Sequence, residues 1–224
     1  MLRLVGLFLL ICITLRAESA IPPQVETRGI PVFSAELAAK IKPYLNIRTV
    51  QFQDWQQSGT NITVLVAMRP EKGQVNQLHV LNEPRGKPRQ ITFGKNPVCK
   101  AIINPLNDRS IIFLRDEGGN ERYQIFHYDL ATGKTIRITD GKNRHTGVHW
   151  SSKGDQIAYF SPKRNGRDAD LYISRLKQTG TEKLLLKLNG GGWEIEDWSS
   201  DGRMLLIMEY ISINESRIHI VDTQ

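Results

Sequence analysis

VHWSSKGDQIAYF (Val148 to Phe160) and IEDWSSDGRMLLIM (Ile195 to Met208) are two copies of one pattern: a strand ending in Trp-Ser-Ser, a polar turn closing on Gly, and a second apolar strand. Weaker copies surround Trp55 and Asn104. Taking Trp55, Asn104, Trp150 and Trp198 as equivalent gives spacings of 49, 46 and 48. A second set repeats with them: Leu78, Ile125, Leu171 and Ile218 lie 47, 46 and 47 apart, each followed by a ring residue, His79, Phe126, Tyr172 and His219. Two independent sets sharing one period signal a stacked or radial repeat, in which each unit buries its apolar faces against its neighbours.

Each unit reads as four short strands. In the third, Thr146 to Trp150 leads through Ser152-Lys153-Gly154 to Gln156 to Ser161, then a polar loop Pro162 to Arg167. Asp170 to Leu176, a turn at Gln178-Thr179-Gly180, and Glu182 to Leu188 complete it. Apolar residues alternate or run short between Gly, Asn, Asp and Pro clusters, as strands and hairpins do. Glycines mark the turns: Gly73, Gly119 and Gly166 after the second strand, Gly86, Gly133 and Gly180 after the third. Asp108 stands where Gly59, Gly154 and Gly202 stand in the other units, as a residue tolerant of a positive φ. Four antiparallel strands in about 40 to 50 residues describe a propeller blade. The fold class is all-β, a partial β-propeller of about four blades: three complete from Arg48 to Leu188, the last, from Trp193, incomplete at its third strand. Further blades are expected to finish the ring; the alternative is a closed four-bladed ring in which Ile30 to Phe33 supplies the missing strand.

Residues 1–19 read as a secretory signal peptide, with Arg3 before an apolar core from Leu4 to Leu15 and small residues at Ala17-Glu18-Ser19. The core is shorter than the ~20 residues of a spanning helix, so no membrane span is expected in the mature chain. A secreted or periplasmic location follows. Without residues 1–19 the chain carries 28 basic and 22 acidic residues, a net +6, and a single cysteine, Cys99. One cysteine forms no intrachain disulfide, so the fold rests on its core; Cys99, at a strand start, is expected to be buried and inert. Residues 20–47 read as a linker and short helix, opened by Pro22-Pro23. Ser34 caps the helix, Ala35 to Ile41, whose Leu37, Ala38 and Ile41 share a face before Pro43 stops it. Residues 48–224 are the blades.

No catalytic motif stands out: there is no G-x-S-x-G elbow, H-E-x-x-H, P-loop or C-x-x-C. No catalytic, cofactor-binding or metal-binding residue is therefore assigned, and no cofactor is expected. His145 and His149 have the spacing of zinc ligands on a helix, but they bracket the entry to a strand, and no metal role is assigned. His79 and His219 are expected to pack against the next blade. Asp116, Glu117 and Glu121 flank Gly118-Gly119 as solvated turn residues. Basic residues gather at Arg85, Lys87 and Arg89, at Lys142 and Arg144, and at Lys163, Arg164 and Arg167, beside acids such as Asp140 and Asp168. They read as a solvated rim; nucleic acid is not an expected partner, since the aromatics sit at blade-core positions. Asn61-Ile62-Thr63 and Asn214-Glu215-Ser216 are glycosylation sequons that matter only in a eukaryotic secretory pathway.

The stretches Arg115 to Ile173 and Gly190 to Asp222 resemble the N-terminal propeller of prolyl oligopeptidase family serine peptidases, a similarity running from about Ile30 to Gln224. W-S-x-x-G followed by an apolar strand is shared with TolB-like periplasmic propellers; Gly-Gly-Trp-x4-Trp-Ser-x-Asp-Gly with Tyr-Ile-Ser-Ile-Asn-Glu-Ser tips the reading to the peptidases. The resemblance implies a propeller capping an α/β-hydrolase domain and limiting entry to short or unfolded peptides. The family's triad lies after the propeller, and no residue here matches it, so the parent enzyme, not this segment, would be the hydrolase. The implied partners are a peptide substrate or the α/β-hydrolase domain. Two other readings stand beside this one: a stand-alone TolB-like protein-binding scaffold, and a propeller with a central active site, for which no convergent carboxylate, histidine or metal pattern is found.

Overall fold

The Trp-Ser-Ser-x-Gly segment folds by its own chemistry. In the third repeat the Ser151 N–H donates to the Gln156 carbonyl (2.9 Å) and the Gly154 N–H to the Ser151 carbonyl (2.8 Å), while the Ser151 hydroxyl donates to Asp155 (2.8 Å). The fourth repeat builds the same turn: Ser199 N–H to the Met204 carbonyl (2.9 Å), Gly202 N–H to the Ser199 carbonyl (2.8 Å), Ser199 hydroxyl to Asp201 (2.6 Å). A turn that satisfies its own polar groups sends the chain straight back as a hairpin. The computed structural model describes residues 25–224 except 27, 32, 33, 46, 48, 72, 73 and 177–181. Residues 1–19, which the sequence reads as a signal peptide, Gly73 and the Gln178-Thr179-Gly180 turn lie outside the described residues.

The chain divides into two units, Met1–Ile47 and Arg48–Gln224. In the first, helix α1 (Ala35–Leu45) starts at Ser34, whose hydroxyl accepts the Leu37 N–H (3.1 Å). Contrary to the sequence expectation, it runs through Pro43. A proline removes its own N–H but leaves helical dihedrals open to the residues after it. None of its residues is buried.

The second unit holds four antiparallel sheets. The first is β1 (Val50–Ser58), β2 (Asn61–Met68), β3 (Gln77–Leu81) and β4 (Arg89–Gln90); the second is β5 (Val98–Asn104), β6 (Asn107–Arg115), β7 (Gln124–Asp129) and β8 (Thr135–Arg137). The third is β9 (Thr146–Trp150), β10 (Gln156–Ser161), β11 (Asp170–Arg175) and β12 (Lys183–Leu186), and the last has only β13 (Trp193–Trp198), β14 (Met204–Ser212) and β15 (Glu215–Asp222). Strands neighbour each other in chain order, and the first strand of each sheet shows a register shift against its second. These are the expected blades, the last with three strands.

Alternation puts one set of side chains forward and the other back, and three cores form between consecutive sheets. Leu65, Ala67, Leu78 and Val80 of the first blade meet Ala101, Ile103, Ile111 and Phe113 of the second. Ile112, Leu114 and Ile125 meet Val148, Trp150, Ile157 and Tyr159; Ala158, Phe160 and Leu171 meet Ile195, Trp198, Leu205 and Ile207. Trp150 and Trp198, 7% and 5% exposed, thus pack between neighbouring blades. In the second blade Asn104 takes the tryptophan's place. It donates from Nδ2 to the Gly154 carbonyl of the next blade (2.7 Å), as Gln56 donates to the Pro105 carbonyl (2.7 Å) and Ser152 to that of Ser199 (2.9 Å). Three polar stitches therefore run along one end of the stack.

Two local expectations change. Asp108 lies inside β6, because the hairpin closes through the two residues Pro105 and Leu106 and pairs Asn104 with Asn107. Cys99 is exposed. It is the extra residue of a β-bulge, since Val98 faces Arg115 and Lys100 faces Leu114, and a bulge residue leaves the alternation that would bury it.

Replacing Trp198 by Ala is expected to cost ~3–5 kcal/mol in urea denaturation, as for large core truncations, whereas Trp55→Ala, at a residue 56% exposed, costs under ~1 kcal/mol. Gly154 combines a φ of 62° with Asn104 Oδ1 only 2.3 Å from where a Cβ would stand. Gly154→Ala is therefore expected to cost well over ~1 kcal/mol and more than Gly59→Ala, where φ is 60° and the space is open.

Candidate functional site

The innermost strands bring together a polar set from four blades. His149 on β9 feels Lys100 of β5, Asp197 of β13 and Asp54 of β1. Burial and the Lys100 charge push its pKa down against the two carboxylates. Asp54 ties two blades: one oxygen accepts the Trp55 N–H (2.8 Å), the other the Ile103 N–H of β5 (2.8 Å). Asp197 repeats the first contact with Trp198 N–H (2.7 Å).

The two histidines with zinc-like spacing do not converge. His145 is 2% exposed, stands edge-on to Tyr159 (5.5 Å between ring centres) and lies 3.5 Å from Asp140, beyond a good hydrogen bond; neither ring nitrogen has a partner. Burial pushes its pKa down, outweighing the nearby Asp140. Among the described residues no group of three His, Cys, Asp or Glu is placed to hold a metal. His79 is buried as expected, with Nδ1 3.0 Å from the Gln77 carbonyl; His219 is half-buried and packs on Trp193 of its own blade (5.4 Å) rather than on a following one.

Several charged groups turn out to be structural rather than solvated. Asp116 is 5% exposed and accepts the Glu121 N–H (3.0 Å), while Glu117 and Glu121 are exposed. Arg164 grips the fully buried Asp170 (2.6 and 3.0 Å) and reaches the Leu188 carbonyl (3.2 Å); Lys163 pairs with Glu182. Arg167, the Gly190 N–H and Asn165 hold the Asp168 carboxyl far below its usual range. Antiparallel alternation sends the loops after first and third strands to one end of the stack, and the loops after second strands and the connectors between blades to the other. Arg85, Lys87 and Arg89 fall at the first end, Lys142, Arg144, Lys163, Arg164 and Arg167 at the second, so the basic groups form no single face.

Two arrangements escape sequence reasoning. Ser110 Oγ and His127 Nε2 are 2.6 Å apart across β6 and β7. Burial lowers the His127 pKa, against the charge of Asp129. Asp129, whose charge acts on the ring, accepts the Ala131 and Thr132 N–H groups (2.9 and 3.0 Å) through one oxygen. No motif could flag it, because the two residues meet only through strand pairing. Cys99 is a poor nucleophile: partial burial of its sulfur and the nearby Asp116 push the thiol up, against a hydrogen bond with Tyr123.

The second arrangement is a clasp at each connector. Gln77 donates to the Gly94 and Asn96 carbonyls (3.2 and 3.1 Å) and accepts from the Thr92 hydroxyl (2.9 Å), which itself accepts the Leu78 N–H (2.8 Å). Gln124 and Thr139 repeat it, with Asn143 O at 2.7 Å, Thr139 hydroxyl at 2.8 Å and Ile125 N–H at 3.0 Å. Its signal was present: ITFGKN (Ile91 to Asn96) and ITDGKN (Ile138 to Asn143) stand 47 residues apart.

The largest departure from a satisfied structure is at the two end faces. Leu78, Ile125 and Leu171 are 0% exposed, but their equivalent Ile218 is 57% exposed; Val80 and Ile173 are 2% and 8%, their equivalent Ile220 72%. Met204 and Tyr210 of β14 share that forward face, 41% and 53% exposed. On the back of the first blade Val50, Phe52 and Trp55 are 60%, 64% and 56% exposed. Each such side chain forfeits about 1.5–3 kcal/mol of burial, which makes these faces the strongest candidates for interaction.

No protein-family model matches the sequence, and no curated protein matches it. Solved structures do. TolB from Acinetobacter baumannii superposes with a TM-score of 0.56 at 17% identity over 79% of this chain and 41% of that one. An oligogalacturonate lyase in complex with manganese gives 0.60 at 10% identity, over 80% and 51%; a prolyl endopeptidase gives 0.59 at 15%, over 86% and 32%. The fold is a TolB-like propeller. The chain spans 41% of the length of the Acinetobacter TolB chain.

The buried histidines make the stability of this propeller pH-dependent. His127, His145 and His149 have folded-state pKa values below the ordinary 6.5, so the folded state binds fewer protons than the unfolded chain. Their contribution is fully present above pH 6.5 and declines as pH falls through 6.5 toward the folded values. The urea midpoint is expected to drop between pH 7.5 and 5, and His145→Phe to flatten that drop. A second loss, from carboxylates such as Asp168 and Asp140 that are held low, belongs to lower pH, beginning below about 4.

Proposed function

We propose that this chain is a non-catalytic, substrate-gating propeller segment of an exported prolyl oligopeptidase-like serine peptidase. The observation that carries the reading is the contrast between Ile218, 57% exposed, and its buried equivalents Leu78, Ile125 and Leu171, which makes the four blades an assembly element rather than a finished binding cup. The likeness to a prolyl endopeptidase over 86% of this chain supports it. In this role the propeller limits access by shape, and its polar inner strands, carrying Asp54, Lys100, His149 and Asp197, form the wall that a peptide passes. The residues read as a signal peptide supply export, and no described helix is long and apolar enough to cross a membrane. A second reading, a TolB-like protein-binding scaffold, is favoured by the likeness to a putative TolB from Agrobacterium tumefaciens, of whose chain 77% is covered at a TM-score of 0.52.

Three outcomes are expected. The purified chain takes no label from a fluorophosphonate probe; labelling at Ser110 would overturn the non-catalytic reading. The genomic frame encodes a G-x-S-x-G elbow followed by an acid and a histidine after further blades; a frame without one favours the scaffold. Expressed alone, the chain is also expected to associate in light scattering, and the pair Phe52→Lys and Ile220→Lys to reduce that association, because both remove exposed apolar end-face area.

A further inference from the structure

β1, β5 and β9 meet one another across the blades, and β4, β8 and β12 lie at the far edge of the same sheets. In each of the three four-stranded blades the fourth strand is therefore the outer perimeter. These perimeters carry one sign of charge. Lys87 and Arg89 stand in or beside β4, Lys134 and Arg137 in or beside β8, Lys183 and Lys187 in or beside β12, and all six are exposed. Lys87 and Lys134 hold equivalent positions, 47 residues apart. Among the described residues none of the six makes an ion pair, whereas Lys163, Arg164 and Arg167 of the third blade's loop are all paired. Nearby acids are engaged elsewhere: Asp129 holds the Ala131 and Thr132 N–H groups and Glu182 holds Lys163, which leaves Glu83, before β4, as the exposed exception. The six cations match all but one unit of the chain's net charge of +7, so the rest of the molecule is nearly balanced.

Charge on an outer strand also guards it against pairing with another sheet, but either sign would serve, and here every blade uses the same one. A row of unanswered like charges raises the local potential and draws a partner of opposite sign. Its form selects that partner. β4, β8 and β12 have two, three and four residues, too short to hold an added peptide strand by main-chain bonds. None of the three carries an aromatic residue on which a base could stack, so a nucleic acid would find only half of its usual contacts. Blades of a propeller fan outward, so a flat bilayer meets one edge at a time, while a linear polymer can follow all three. We propose that the outer perimeter of the three blades binds a linear acidic polysaccharide, whose anionic groups pair with Lys87 and Arg89, Lys134 and Arg137, and Lys183 and Lys187 on successive edges. The surface stands on the repeated outer strands alone and is independent of the peptidase reading, which its failure would leave untouched.

The test titrates the whole chain into fluorescently labelled alginate, a linear polyuronate, at several salt concentrations and reads anisotropy. Lys87→Gln, Lys134→Gln and Lys183→Gln together are expected to weaken binding about tenfold and to flatten its dependence on salt, because fewer counter-ions are released. Lys95→Gln, Lys142→Gln and Lys153→Gln, which remove the same charge at exposed positions away from the outer strands, are expected to weaken it less than about twofold. On the unaltered chain, alginate is expected to shield Lys134 and Lys183 from acetylation and to leave Lys95 and Lys142 reactive. Equal losses from the two triple variants would reduce the effect to net charge and overturn the proposal. Shielding of Lys95 and Lys142 instead, absence of binding at low salt, or tighter binding of poly-glutamate or of vesicles containing anionic lipid than of alginate overturns it as well.

Discussion

A four-stranded antiparallel sheet that is apolar on both faces can be dry only between two others, and that constraint governs the rest of this molecule. Leu65, Ala67 and Leu78 are fully buried because Ile103, Ile111 and Phe113 stand across from them, not because of anything within their own blade. Stability in such a stack is close to a sum over neighbour interfaces. The three internal interfaces are complete; at the two ends Phe52 and Ile220 stay exposed among the described residues.

Polar groups hold the relative alignment of the blades where the apolar contacts cannot. Sheet-on-sheet packing tolerates sliding, but Asp54 on Ile103 N–H, Asn104 on the Gly154 carbonyl and Ser152 on the Ser199 carbonyl each fix one backbone against the next. At the other end the Gln77–Thr92 and Gln124–Thr139 clasps bind the third strand of a blade to the connector that enters the following one. Being well buried, these bonds are costly to leave half-made, so they select one alignment.

The blade count, the strand order and the roles of Trp150 and Trp198 were legible in the sequence, because a period near 47 repeats the same local instructions and each is read against the others. What escaped was whatever a single bulge or a cross-strand meeting decides. Cys99 leaves the core through one unpaired residue in β5; Ser110 finds His127 only once β6 and β7 align. Arg164 looked solvated because the acid that captures it, Asp170, lies six residues on and is fully buried at the start of β11. Pro43 misled through a rule that holds for helix interiors more firmly than for a last turn. The functional reading was the least legible, since it depends on surfaces, and a repeat pattern marks its end faces with the same residues as its interior ones.

The clasps also bear on how a chain of this kind can change over generations. ITFGKN and ITDGKN sit at the same point of successive blades, and each closes its blade through a glutamine of the third strand and the connector that follows, with Arg115 of the next blade added at the first (3.1 Å). A duplication or loss that begins and ends at these points hands the next blade an intact junction, whereas a shift of one residue inside a blade would turn every apolar side chain of a strand to the wrong face. The heritable unit is therefore the whole blade, and ring size can drift in lineages where strand length cannot.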